Sequence, residues 1–226
     1  MYRLYHQTIC PFSRKIRALL SAKNIDFDLI AENFWEKRKE FIAMNTMGQI
    51  PVLFNVNNGD IIPCSSVIAQ YINEKHIDDK IDFIGSNPEK RAEARRIEYW
   101  FDHKFFNEVS RNLINERYFN RFLPNSSGPN SKTIMTCKHN LEIHLNYMEY
   151  LLASRKYLVD SELTIADFAA AGQISALDYF GDINWRNHSL VKDWYCLIKS
   201  HKSFGKILAD KIPGVNPPLW YNKSDF

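Results

Sequence analysis

Cysteine is sparse in this 226-residue chain. Cys10, Cys64, Cys137 and Cys196 lie more than fifty residues apart, which excludes a disulfide framework and a clustered metal cassette and suits a reducing cytoplasm. Glycine is scarce too. None of the eight is spaced as in G-x-G-x-x-G or G-x-x-x-x-G-K-[ST], so glycine-rich nucleotide cradles are ruled out. Long apolar runs are missing. The longest uncharged stretch, 41–59, contains four Asn, one Pro and two Gly, and no bilayer accepts such a segment. The opening residues Met1-Tyr-Arg-Leu-Tyr-His6 hold no apolar leader core. Charge of one sign is also lacking: 29 Lys and Arg against 26 Asp and Glu leave +3, in short scattered clusters, short of a nucleic-acid footprint. Present instead are ordinary globular proportions and a rich aromatic set of 15 Phe, 11 Tyr and 5 Trp, enough for a large core and a surface role besides.

The chain divides into two unlike halves. Up to about residue 78, short strand and helix signals alternate. Residues 2–5 alternate apolar and polar, and Cys10-Pro11-Phe12-Ser13 opens a helix, with Pro11 suited to its first turn. Phe12, Ile16, Leu19 and Leu20 form one apolar stripe, while Arg14, Lys15 and Arg17 are expected to face elsewhere. A strand over 26–30 with Phe27 and Leu29 in phase, a helix over 35–44 and a strand over 51–56 follow. Asn57-Asn58-Gly59-Asp60 reads as a hairpin turn, and Ser65 or Ser66 as the cap of a helix ending near Lys75. The order β-α-β-α-β-β-α predicts a small mixed sheet flanked by helices. After a linker over 79–86, residues 87–212 read as helical throughout. Ile97, Phe101, Phe105, Val109 and Leu113 recur every fourth residue along a long helix opened by Pro88. A loop over 124–131, a helix to about Ala153, a capping box at Thr164 and Asp167 with Leu163 and Phe168 as its staple, and a helix over 190–209 complete this half. The end, 213–226, is too proline-rich for a helix.

Three motifs in the first half resemble the glutathione S-transferase superfamily: Cys10-Pro-Phe-Ser-Arg-Lys-Ile-Arg17, Gly48-Gln-Ile-Pro51-Val-Leu53, and Ser65-Ser-Val-Ile68 with Tyr71-Ile72. The box at 163–168 is similar to that family's cap in its second domain. The resemblance covers the whole chain and implies a thioredoxin-like first domain, an all-helical second domain and a homodimer. Within the superfamily, Trp100-Phe-Asp-His-Lys-Phe-Phe-Asn-Glu-Val109, Glu116-Arg117 and the tail ending in Asp225-Phe226 resemble the FzlA-type branch, whose members are partners of the division protein FtsZ.

The resemblance implies a glutathione site. Cys10 at a helix N-terminus is expected to be a stabilised thiolate forming mixed disulfides with glutathione; the same placement serves equally as an inert cap. Position 13 is Ser, so no resolving cysteine is at hand for dithiol chemistry, and Ser13, Tyr5 and Thr8 are rival hydroxyl activators. A cis bond before Pro51 is implied, with the Ile50 backbone pairing the cysteinyl part of the tripeptide. Ser65 is expected to hold the γ-glutamyl carboxylate, or simply to cap its helix. Cys64 stands where many relatives carry an acid. A lost charge-assisted hydrogen bond is worth ~1.5–3 kcal/mol, which weakens the case for glutathione.

Other candidates are slight. His139 and His144 are five apart, poorly spaced for one metal site on a helix face, and no metal is expected. Lys37-Arg38-Lys39, Lys90-Arg91 and Arg95-Arg96 read as solvated faces open to an acidic partner. The tail aromatics Trp220, Tyr221 and Phe226 either pack back on the helical half or form a partner-binding patch. Two function classes therefore stand: a glutathione-dependent transferase using Cys10, and a non-catalytic adaptor that binds FtsZ.

Overall fold

In the computed structural model, described residues are 1–76, 82–122 and 128–226; the first part of the expected linker and of the expected 124–131 loop lies outside them. Strand β1 (Tyr2–His6) buries Tyr2, Leu4 and His6 on one side and turns Arg3 outward, as its alternation predicts. It is central in a four-stranded sheet of order β2-β1-β3-β4. β2 (Phe27–Ala31) pairs with it in parallel, while β3 (Val52–Asn55) and β4 (Ile61–Pro63) are antiparallel. Phe27 packs on the core, yet Leu29 is exposed, against the expected phase: β2 is an edge strand and little covers it. Gly59, at φ +78°, makes the turn between β3 and β4.

Helix α1 (Pro11–Ala22) begins where expected, with Cys10 as its cap residue and Pro11 first. Its surroundings are not as expected. Arg14, Lys15 and Arg17 are as buried as Ile16 and Leu20, because α1 lies between the sheet and the helical half. The opposing helix α7 (Ile165–Tyr179) comes so close that a side chain at Gly172 would meet the Pro11 carbonyl at 2.4 Å. The predicted helix over 35–44 is broken: a single tight turn, Phe34–Glu36, precedes a left-handed Lys37, and α2 spans only Lys39–Met44. The Ile50–Pro51 bond is cis. In α3 (Ser65–Lys75) the cap position belongs to Cys64, at φ +73°, so Ser65 is the first helical residue and not the expected cap.

The helical half starts with α4 (Pro88–Tyr99), capped by the Asn87 side chain on the Lys90 amide at 2.8 Å. It runs without a break into a wider, π-helical stretch, Trp100–Ser110, and then α5 (Arg111–Arg117). Ile97, Phe101, Phe105, Val109 and Leu113 are all fully buried. A four-residue step overshoots an α-helical turn by ~40°, so an unbroken α-helix would carry this stripe progressively off the core; the wider turns keep it in line. Asn130 caps α6 (Ser131–Leu152). The capping box at Thr164 and Asp167 forms as read, and the buried Asp167 also accepts from the Leu158 amide and the Trp194 indole. The helix expected over 190–209 is two, α8 (Ser189–Ser200) and α9 (Gly205–Leu208), parted by extended backbone at His201. One hydrophobic core runs through both halves, with α7 buried along its whole length. Among the described residues no helix is long and apolar enough to cross a membrane.

Candidate functional site

A cleft of about 530 Å³ opens between the two halves. From the first half it receives the start of α1 (Cys10, Pro11, Phe12), Phe34, Gln49 and Ile50 ahead of β3, and Cys64, Ser65 and Ser66 at the start of α3. Cys10, Ile50, Cys64 and Ser65, singled out separately in the sequence, thus line one site. Pro51 is buried behind Ile50 and Ser13 behind Cys10; neither lines the cleft.

Burial works against the thiolate that the Cys10 position at a helix start favours. The Cys10 amide donates to the Gln7 carbonyl (3.0 Å) and its own carbonyl accepts from the Arg14 amide (3.0 Å), which seats the residue below the surface at 8% exposure. Burial pushes the thiol up, and the opposing pull of the Ser13 hydroxyl and of the amides of Ser13 and Phe12 does not offset it. Ser13 itself is fully buried and accepts from the Gln7 amide at 3.4 Å. Of the rival hydroxyls, Tyr5 packs on Phe41, and Thr8 gives its carbonyl to Arg14 Nε at 2.9 Å; neither lines the cleft. Cys64 is the one exposed cysteine, its Sγ 3.2 Å from Ser66 Oγ. Alkylation at neutral pH is therefore expected to label Cys64 first, and Cys64→Ser to remove the fast phase seen by mass spectrometry. A fast phase surviving that substitution would restore the reactive Cys10.

The far wall was missed in the sequence. Asp102, His103, Phe106, Asn107, Arg111, Ile114, Asn115 and Phe119 line it. Asp102, Phe106 and Ile114 follow the four-residue spacing of the buried stripe one position on, and that second stripe was the available signal. Phe12 and Phe106 meet across the cleft with ring centroids 4.6 Å apart, as do Phe34 and Phe119 at 5.4 Å. Below the floor, Lys15 Nζ donates to Glu98 Oε1 (2.6 Å) and Asp102 Oδ2 (2.5 Å), with all three side chains nearly inaccessible.

The remaining candidates fall elsewhere. Tyr221 is fully buried and its hydroxyl accepts from Arg14 Nη1 at 2.8 Å. Phe226 lies over Lys199 (3.9 Å) and against Trp185, while Trp220 keeps 38% exposure and Leu219 89%. Of the basic clusters, Lys90 pairs with Asp160, Arg38 with the buried Glu32 and Arg96 with Glu93, so these are less free than solvated faces. His144 is held by Trp100 and Glu108, and His139 is exposed. Among the described residues no three His, Cys, Asp or Glu groups converge as a metal site.

Comparison with known proteins follows this geometry. Residues 9–75 match the family described as glutathione S-transferase, N-terminal domain. The chain is 36% identical over 225 residues to FtsZ-localized protein A of Caulobacter vibrioides, covering 99% of this chain and 97% of that protein. Among solved structures it superposes on FzlA from C. crescentus with a TM-score of 0.94 at 36% identity, covering 100% of this chain and 99% of that one. A glutathione S-transferase from Rhodospirillum rubrum gives the same score and identity with complete coverage of both chains.

Proposed function

Because the chain belongs to the glutathione S-transferase superfamily, and within it to the group of FtsZ-localized protein A, we propose that it is a non-catalytic adaptor that associates with FtsZ in the cytoplasm. The observation that carries this reading is the 36% identity with FtsZ-localized protein A along nearly the full length of both chains. The site supports it: burial disfavours the Cys10 thiolate, the nucleophilic form. The adaptor is proposed to act as a homodimer with its first domain over 1–78 and its second over 87–212. Co-sedimentation with polymerised FtsZ is the test, run beside a glutathione-conjugation assay with an aryl halide. The expected result is retention in the FtsZ pellet with no turnover; turnover without retention would reverse the assignment.

A second reading is kept by the convergence of Cys10, Ile50 and Ser65 on one cleft: glutathione binds there without being consumed. The first turn of α3 suits its γ-glutamyl carboxylate, with the Ser65 hydroxyl and amide as donors. Its ammonium fits less well, since Cys64 offers no charge. Calorimetric titration with glutathione decides this reading separately.

A further inference from the structure

Strand β2 has a free side. Among the described residues it pairs with β1 alone, and the Glu32 amide just past it donates to the His6 carbonyl at 2.9 Å. Backbone groups alternate along a strand, so the amides of Asp28 and Ile30 face β1 as that of Glu32 does, while those of Leu29 and Ala31 face outward. No hydrogen bond among the described residues reaches these two outward amides. Neither a proline nor a bulge blunts the edge, and Leu29 stands on it 43% exposed. Phe27 and Leu29 share one face of the strand. There, with Ser203, Lys206 and Ile207, they line a recess of about 70 Å³, room for one small branched aliphatic side chain. Arg17, also in the lining, is held by Asp210 through two hydrogen bonds, whereas Lys206 is exposed and has no acidic partner among the described residues. Lys202 adds charge nearby, its Nζ 2.8 Å from Asn24 Oδ1 just ahead of β2. The recess side of the edge is therefore apolar with a basic rim.

We propose that the free edge of β2 takes up an extended segment of a partner protein as an added strand, with an aliphatic side chain in the recess and an acidic one two residues away on Lys206. Main-chain bonds to Leu29 and Ala31 hold an extended chain, and the recess and Lys206 select its side chains. A spacing of two returns the second side chain to the same face of the strand. A second copy of this edge does not meet that pattern. The residues two away from its Leu29 are Phe27 and Ala31, and its exposed Asp28 lies on the opposite face. None of these residues lines the cleft, so the surface is distinct from the glutathione reading.

The test follows residue-resolved amide hydrogen exchange of the full-length protein with the capped peptide Thr-Thr-Val-Thr-Glu-Thr-Thr. At about ten times its Kd the peptide is expected to slow exchange at Leu29 and Ala31 roughly tenfold, in proportion to occupancy. Asp28 and Ile30, whose amides already face β1, should not change. Replacing the peptide's Glu by Lys should weaken binding roughly threefold, the scale of an exposed ion pair. Lys206→Glu should invert that preference, and Leu29→Asp, which sets an acid at the recess, should abolish binding. Lys206 is exposed and unpaired, so thermal unfolding of Lys206→Glu is expected to match the parent. No protection at Leu29 and Ala31 with millimolar peptide, equal protection at Ile30, or a Glu preference that survives Lys206→Glu overturns the proposal. Protection of the two outward amides that grows with protein concentration in the absence of peptide also overturns it, by giving the edge to a second copy.

Discussion

Replacing Lys15 by Met is expected to cost about 3–5 kcal/mol of stability, the scale on which removal of one partner strands buried charge. For a chain of this size that lowers the melting temperature by roughly 6–20 °C. The reason is local. Lys15 is 1% exposed and is the cation on which both Glu98 and Asp102 converge. Without it two buried carboxyls face each other with no bonded counter-charge. Calorimetry should show the loss to be larger at pH 8 than at pH 5. Burial already holds the Glu98 carboxyl above its ordinary value, and removing Lys15 raises it further. The folded state then keeps protons that the unfolded chain has released, so stability falls as pH rises through that window. A small loss, equal at both values, would mean that water reaches the cluster.

That cluster also marks the limit of what the sequence discloses. Local signals were legible: the Cys10-Pro11 helix start, the hairpin glycine, the capping box at Thr164 and Asp167, and a core stripe at 97–113 came out as read. Their information lies within a few residues of the element they specify. Arg14, Lys15 and Arg17 were assigned away from the core because their partners stand far along the chain: Tyr221 is 207 residues on, Glu98 83 and Asp210 193. No periodicity within α1 can reveal such pairings, because they exist only once α1 is clasped between sheet and helices. The same holds for the site. Cys10, Ile50, Cys64 and Ser65 were found from local motifs, whereas Phe106, quoted only within the 100–109 motif, and Arg111 were not read as lining a cleft. Cys64 at φ +73° took the cap position that residue preference gave to Ser65, because the chain must turn sharply from β4 into α3.

Deleting residues 217–226 is expected to lower stability by at least ~3–5 kcal/mol, the cost of emptying one large buried aromatic site. Tyr221 fills that site, edge-on to Tyr179 at 5.0 Å, and its hydroxyl answers the buried Arg14. Trp220 adds an indole donor to Asp178 (3.1 Å) and a carbonyl acceptor for Lys199 (3.2 Å), so deletion also strips partners from two buried charges. The tail thereby fastens the helical half to the helix that carries Cys10. It follows that truncation cannot by itself assign a partner role to Trp220, Tyr221 and Phe226, since any loss of FtsZ binding would accompany a loosened fold. Leu219→Asp separates the two, because Leu219 is 89% exposed and bonds to nothing buried. Its melting temperature should match the parent. If the tail meets FtsZ, a charge placed at that apolar tip should weaken co-sedimentation on the hot-spot scale of ~2 kcal/mol, about thirtyfold. Unchanged co-sedimentation by Leu219→Asp, together with a destabilised truncation, would remove the tail from the partner surface and leave it as the strap between the two halves.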